Sequence, residues 1–144
     1  MIRLQLLLAV FVLCNIAGAN ESRVRKSETS VLLTRLIEAP DAYDGKVVLV
    51  SGFAFIEFEN NNLCLLEKQG IPRNCIWINY FDGVTESDAD FARYQKAKKK
   101  WSRFNRRHIS LRGTFDASDT GHLGGSSGGI GHITEVSISK NHRK

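Results

Sequence analysis

The sequence predicts a β-rich α+β domain: a small five-stranded barrel, one helix between the third and fourth strands, and a short helix ahead of the first. Three observations carry this expectation. Five segments are rich in β-branched and aromatic residues and are bounded by Gly, Pro, Asn or Asp. One long segment from Asp88 lacks Gly and Pro and repeats apolar residues at steps of three and four. The last two strand segments are joined by a glycine-rich stretch.

The chain opens on MIRLQLLLAVFVLCNIAGA, which predicts a secretory signal peptide over 1–19. Arg3 supplies the positive start, Leu6 to Cys14 the apolar run, and Ala17, Gly18 and Ala19 the small-residue cleavage site. The run is short of the ~20 residues that cross a bilayer, so no membrane span is expected in the mature chain. Leu13 ahead of Cys14 also lacks the small residue of a lipidation site. Cleavage after Ala19 leaves 125 residues (144 less 19), enough for one domain in a secreted, periplasmic protein.

Residues 20–29 are polar and without period, and are expected to form a flexible lead-in to a domain over 30–140, with 141–144 as a tail. Ser30 is the expected cap of a short helix Val31 to Glu38, whose Leu32, Leu33, Leu36 and Ile37 make one apolar stripe before Pro40 ends it. The first strand runs from Lys46 to Phe55, apolar on both faces, with Gly52 marking a bend or bulge. Glu59 to Asn62 turns the chain into a second strand, Leu63 to Leu66, and Lys68 to Asn74 turns it into a third, Cys75 to Tyr80. After the break at Asp82, Gly83, Thr85 and Ser87 comes a helix from Asp88 to about Arg106. Phe91, Tyr94, Ala97, Trp101 and Phe104 form its apolar face, and its acidic start and basic end suit the backbone dipole. Ile109 to Phe115 and Ile133 to Ser139 are the fourth and fifth strands, joined by a mobile loop over 116–132. Strand, strand, strand, helix, strand, strand is the order of the OB-fold. An unrelated α+β sheet with the same order is the alternative.

The stretches AYDGKVVLVSG (42–52), NCIWINY (74–80), RGTFDASDTGHLGG (112–125) and SGGIGHIT (127–134) carry a resemblance. With them the chain resembles exported bacterial OB-fold proteins of the tRNA-anticodon-like group. It is most similar to uncharacterised Gram-negative periplasmic proteins with a GHxGxxSGxI loop, over Leu32 to Val136. It departs from their pattern at Cys64, at Cys75, and at Ser126, where an aromatic residue is expected. That resemblance implies fold and compartment, and no activity.

With Cys14 removed by processing, Cys64 and Cys75 remain, an even count in an oxidising compartment. They lie on the second and third strands either side of a turn, which predicts a disulfide. The serine-hydrolase elbow pattern occurs twice, at 124–128 and 125–129, but in a glycine run leading into a strand rather than on a strand-to-helix turn. The same loop lacks the Gly-Lys-Ser/Thr ending of a P-loop. His108, His122, His132 and His142 lack the spacing of a structural zinc site, and Glu57, Glu59 and Glu67 read as solvated strand edges. No catalytic residue, cofactor or metal is therefore expected.

Charge is the one functional signal. From Phe91 to Phe115 there are nine basic residues and no acidic one, while Asn20 to Asp90 carries seven basic and twelve acidic. Arg93, Lys96, Lys100, Arg103 and Arg107 recur at helical steps as one stripe, widened by Lys98, Lys99 and Arg106. The sequence thus predicts an exported, non-enzymatic OB-like domain that binds an anionic ligand or an acidic partner protein. The alternative is an inhibitor or immunity-type protein that blocks a single partner.

Overall fold

A computed structural model describes residues 29–81 and 87–139. The expected signal peptide (1–19), the lead-in as far as residue 28, residues 82–86 of the break, and residues 140–144 lie outside the described residues. The elements are β1 (Thr29–Val31), α1 (Leu33–Glu38), a 3-10 turn at Pro40–Tyr43, β2 (Val47–Glu57), β3 (Asn60–Leu66) and a 3-10 turn at Lys68–Gly70. Then follow β4 (Pro72–Ile78), α2 (Asp88–Ser102), β5 (Arg107–Asp116), a 3-10 turn at His122–Gly124 and β6 (Gly129–Ile138).

The six strands form one mixed sheet in the order β1-β2-β3-β4-β6-β5, and β2 pairs with β5 as well. Five of them therefore close into a ring of hydrogen-bonded pairs. All ring pairs are antiparallel except β4 with β6, which meet in parallel at Trp77 with Gly129 and Ile78 with Ile130. The length of β2 makes this possible: Val47–Ala54 pair with β5, and Phe53–Glu57 pair with β3 on the other side.

The sequence predicts five strands, and the sixth is β1. Thr29–Val31 run parallel to Val48–Val50, along the half of β2 that β3 does not reach. Ser30 is thus extended rather than a helix cap, and α1 starts at Leu33 behind Leu32, which makes no side-chain capping bond. Tertiary pairing has overridden the local cap signal, because extension also buries Val31. The other boundaries move for similar reasons. Asn60–Asn62 belong to β3 rather than to the turn, which tightens to Phe58 and Glu59, with Glu59 in the left-handed region. The α2 helix ends at Ser102, and β6 begins at Gly129, four residues before the expected Ile133.

Alternation on β2 buries Val48, Val50, Ala54 and Ile56 inside the ring. Phe53 and Phe55 sit outside with ring centroids 5.2 Å apart. Gly52 is no bulge, since β2 and β5 stay in register through it. A Cβ there would lie 2.9 Å from Leu33 and 2.8 Å from Leu63, so glycine is what lets α1 press onto the strand. Leu63, Ile76, Ile78, Ile109, Leu111, Phe115 and Ile130 complete the core, and α2 adds Trp101 and Phe104. Each of these two aromatic side chains, once buried, is worth roughly 3 kcal/mol or more.

Candidate functional site

Where β4 runs out beside α2, the fold leaves a cleft of about 400 Å³. Strand alternation decides its lining. Ile76 and Ile78 point inward, Trp77 points outward, and the chain beyond Ile78 stays attached through Asn79 N–H, which donates to the Ile130 carbonyl at 2.9 Å. Tyr80 stacks on Trp101 with centroids 5.4 Å apart, and Phe81 meets Tyr94 edge-on at 5.6 Å. Phe91, one turn earlier on α2, stays 54% exposed at the mouth. Glu59 from the β2–β3 turn and His122 from the glycine-rich loop close the far side, with His122 Nε2 3.5 Å from Glu59 Oε2.

Two polar groups line this cleft, one half-buried and one buried. Burial pushes the Tyr80 hydroxyl up to about 12, with the neighbouring Tyr94 adding to the rise and a hydrogen bond from Asn61 opposing it. Asn61 is only 9% exposed, and its Oδ1 has no hydrogen-bond partner among the described residues. An unsatisfied buried acceptor costs about 1–3 kcal/mol, and a ligand donor there would relieve that cost.

The glycine-rich loop is docked, not free. Ser126 Oγ donates to Asn62 Oδ1 at 2.9 Å, Ser127 N–H to the Cys75 carbonyl at 3.0 Å, and Trp77 N–H to the Gly128 carbonyl at 2.8 Å. Gly121 lies flat on the Trp77 indole: a Cβ there would come within 2.6 Å of ring carbons, and φ is +69°. The expectation of a mobile connection over 116–132 is corrected accordingly. Its reason is the absence of a side chain at Gly121, which allows contact rather than preventing it.

The expected basic stripe is split between elements. Arg93, Lys96 and Lys100 lie on α2, Arg103 is the residue that caps its C-terminus, and Arg107 opens β5. Arg93 pairs with Asp90, and Arg106 pairs with Glu57 at 3.1 Å. Lys98 covers Phe58 at 5.1 Å from the ring centroid, and Arg103 covers Phe104 at 4.6 Å. Lys96, Lys99, Lys100, Arg103 and Arg107 are exposed, with no acidic partner among the described residues. This basic face and the aromatic cleft occupy different flanks of α2. Lys100 faces a second hollow of about 250 Å³ against Ile133–Val136, whereas Phe91 and Tyr94 face Glu59 and His122.

Cys64 and Cys75 stand opposite each other on β3 and β4, with Cα atoms 4.1 Å apart at disulfide geometry. The serine of the first elbow pattern, Ser126, is spent on Asn62. Glu57, Glu59 and Glu67 have separate partners in Arg106, His122 and Arg73. Among the described residues no three His, Cys, Asp or Glu side chains gather as metal ligands, and no helix is long and apolar enough to cross a membrane. His142 lies outside the described residues.

Sequence reasoning missed the cleft. The aromatic-rich run Trp77 to Phe81, all five residues of which line the cleft, is its one visible signal, but nothing local places Asn61, Phe91 and His122 beside it. No protein-family model, curated protein or solved structure matches the chain.

Proposed function

We propose that this chain is an exported, non-enzymatic binding domain of the OB type that holds an anionic ligand or the acidic surface of a partner protein. The ring order β2-β3-β4-β6-β5 returning to β2, with α2 between its third and fourth members in chain order, supports the OB reading. One observation carries the ligand class: Lys96, Lys99, Lys100, Arg103 and Arg107 present five exposed cations, none of them in an ion pair with a carboxylate of the described residues. Chains seldom leave so many like charges together on a short span, because they repel one another at helical spacing.

The test is binding of a labelled polyphosphate across a salt series, with wild type and an Arg93→Glu, Lys96→Glu, Lys100→Glu, Arg103→Glu variant. A polyanion site loses affinity linearly on a logarithmic salt axis, and charge reversal abolishes binding without unfolding the domain. Binding that survives the reversal refutes the assignment. The alternative reading, an inhibitor of one partner, is favoured by the exposed Phe58 and Phe91, and it would show a shallow salt slope toward that partner.

A further inference from the structure

We infer that the aromatic cleft is a second, independent binding site, and that it takes a guanidinium group: an arginine side chain or a small arginine-derived cation. Its charge pattern is the first reason. The chain is +5 overall, yet among the described residues no lysine or arginine lines this cleft, and the one permanent charge among them is the Glu59 carboxylate. An anion would meet that carboxylate, so the ligand of the basic face is excluded here.

The rings are the second reason. Trp77, Tyr80, Phe81, Phe91 and Tyr94 converge on one cavity, and aromatic faces attract cations. Elsewhere the chain supplies its own cations to its rings, with Lys46 over Tyr43, Lys98 over Phe58 and Arg103 over Phe104. Among the described residues none stands over a ring of the cleft.

The third reason selects guanidinium among cations. Asn61, which lines the cleft, has a buried Oδ1 with no partner among the described residues, and Glu59 offers a carboxylate at the rim whose Oε2 alone is approached, by His122, so the matching ligand brings several N–H donors as well as charge. A planar guanidinium carries five donors in a fixed fork and stacks on aromatic rings, which a quaternary ammonium cannot do while also donating. A cavity of about 400 Å³ admits the group with its aliphatic stem.

The experiment titrates the full chain with agmatine, with a capped Gly-Arg-Gly peptide, with tetramethylammonium and with a neutral disaccharide, followed by calorimetry and by the Trp77 indole resonance. Agmatine and the peptide are expected to bind and to shift that resonance, and tetramethylammonium to bind at least ~10-fold more weakly. Glu59→Gln, an exposed and structurally mild change, is expected to weaken agmatine at least ~10-fold, and Asn61→Leu to weaken it further if circular dichroism shows the variant folded. A peptide that outbinds agmatine identifies the source as a partner's side chain, and the reverse order a free cation. Tetramethylammonium binding as tightly as agmatine, preference for the disaccharide, indifference to Glu59→Gln, or no saturation by agmatine into the tens of millimolar overturns the assignment. The four-fold charge-reversed variant should bind agmatine as wild type does, so the two proposals fail separately.

Discussion

Replacing Gly121 by alanine tests whether the glycine-rich loop is anchored by contact with Trp77. The new methyl would start 2.6 Å from the indole carbons at a φ of +69°, so both sterics and backbone oppose it. With ψ −168° the residue sits in an extended positive-φ region that is essentially glycine-only and costs another residue roughly 1–3 kcal/mol. Overpacking adds roughly 1–3 kcal/mol. The loop can escape that strain by lifting off, and the escape is limited by what holds it down. Three hydrogen bonds tie it to β3 and β4, from Ser126 to Asn62, from Ser127 to Cys75 and from Trp77 to Gly128. At 0.5–1.5 kcal/mol each they cap the loss at roughly 2–4 kcal/mol. The expected result is therefore local. Hydrogen exchange at Ser126 and Ser127 accelerates, the Trp77 indole resonance moves, and the midpoint of thermal unfolding falls by several degrees. Gly125→Ala is the matched control, because Gly125 has φ −85° and nothing within 4 Å of its would-be Cβ. It should be neutral or slightly stabilising. If both variants exchange and melt alike, the loop is not held by Gly121 against Trp77, and the site has lost one of its walls.

Trp101→Ala should cost roughly 3–5 kcal/mol by denaturant unfolding, since the ring is 6% exposed and stacked on Tyr80. Reducing the Cys64–Cys75 bridge, which closes a loop with a sequence separation of 11, should lower stability by about 3 kcal/mol, read by unfolding with and without reductant. Tyrosinate absorbance should show an ionisation near pH 12, and Tyr80→Phe should remove that step. A raised pKa means that the folded state keeps a proton the unfolded chain releases from about pH 10. The contribution of Tyr80 is thus intact below pH 10 and lost as pH climbs through about 12.

The strands of the ring, both helices and the cysteine pair are legible in the sequence because their signals are local: β-branched runs, a 3.6-residue period, turn residues, and two cysteines flanking one turn. What escapes is non-local. Ser30 satisfies every rule for a helix cap, yet its backbone has a better use beside Leu49, a preference that no window around Ser30 contains. Gly52 reads as a bulge but serves a contact with Leu33, and a glycine gives the same letter for both. The basic stripe is legible as charge and misread as geometry, because α2 stops at Ser102 and Arg107 already belongs to β5. The cleft is the extreme case. It draws on the β2–β3 turn, β3, β4 and its continuation, α2 and the loop before β6, and only ring closure brings these together.

Ring closure also bears on how the chain avoids sticking to itself. A sheet normally ends in two strands whose outer N–H and C=O groups can recruit a neighbour's strand. Here Ser51 and Ser110, 59 residues apart, lie side by side and share a hydroxyl hydrogen bond of 2.6 Å, so the two would-be edges are joined to each other. Among the described residues the edges that remain are β1, three residues long, and the stretches of β4 before Trp77 and of β6 beyond Ile130, where those two strands part. The protection depends on the last strand. Removing Gly129–Ile138 would open the ring, uncovering one side of β5 along most of its length and the Trp77–Ile78 end of β4. A chain cut before Gly129 would therefore trade a closed ring for an open sheet with a long unpaired border on β5, and would be prone to self-association through it.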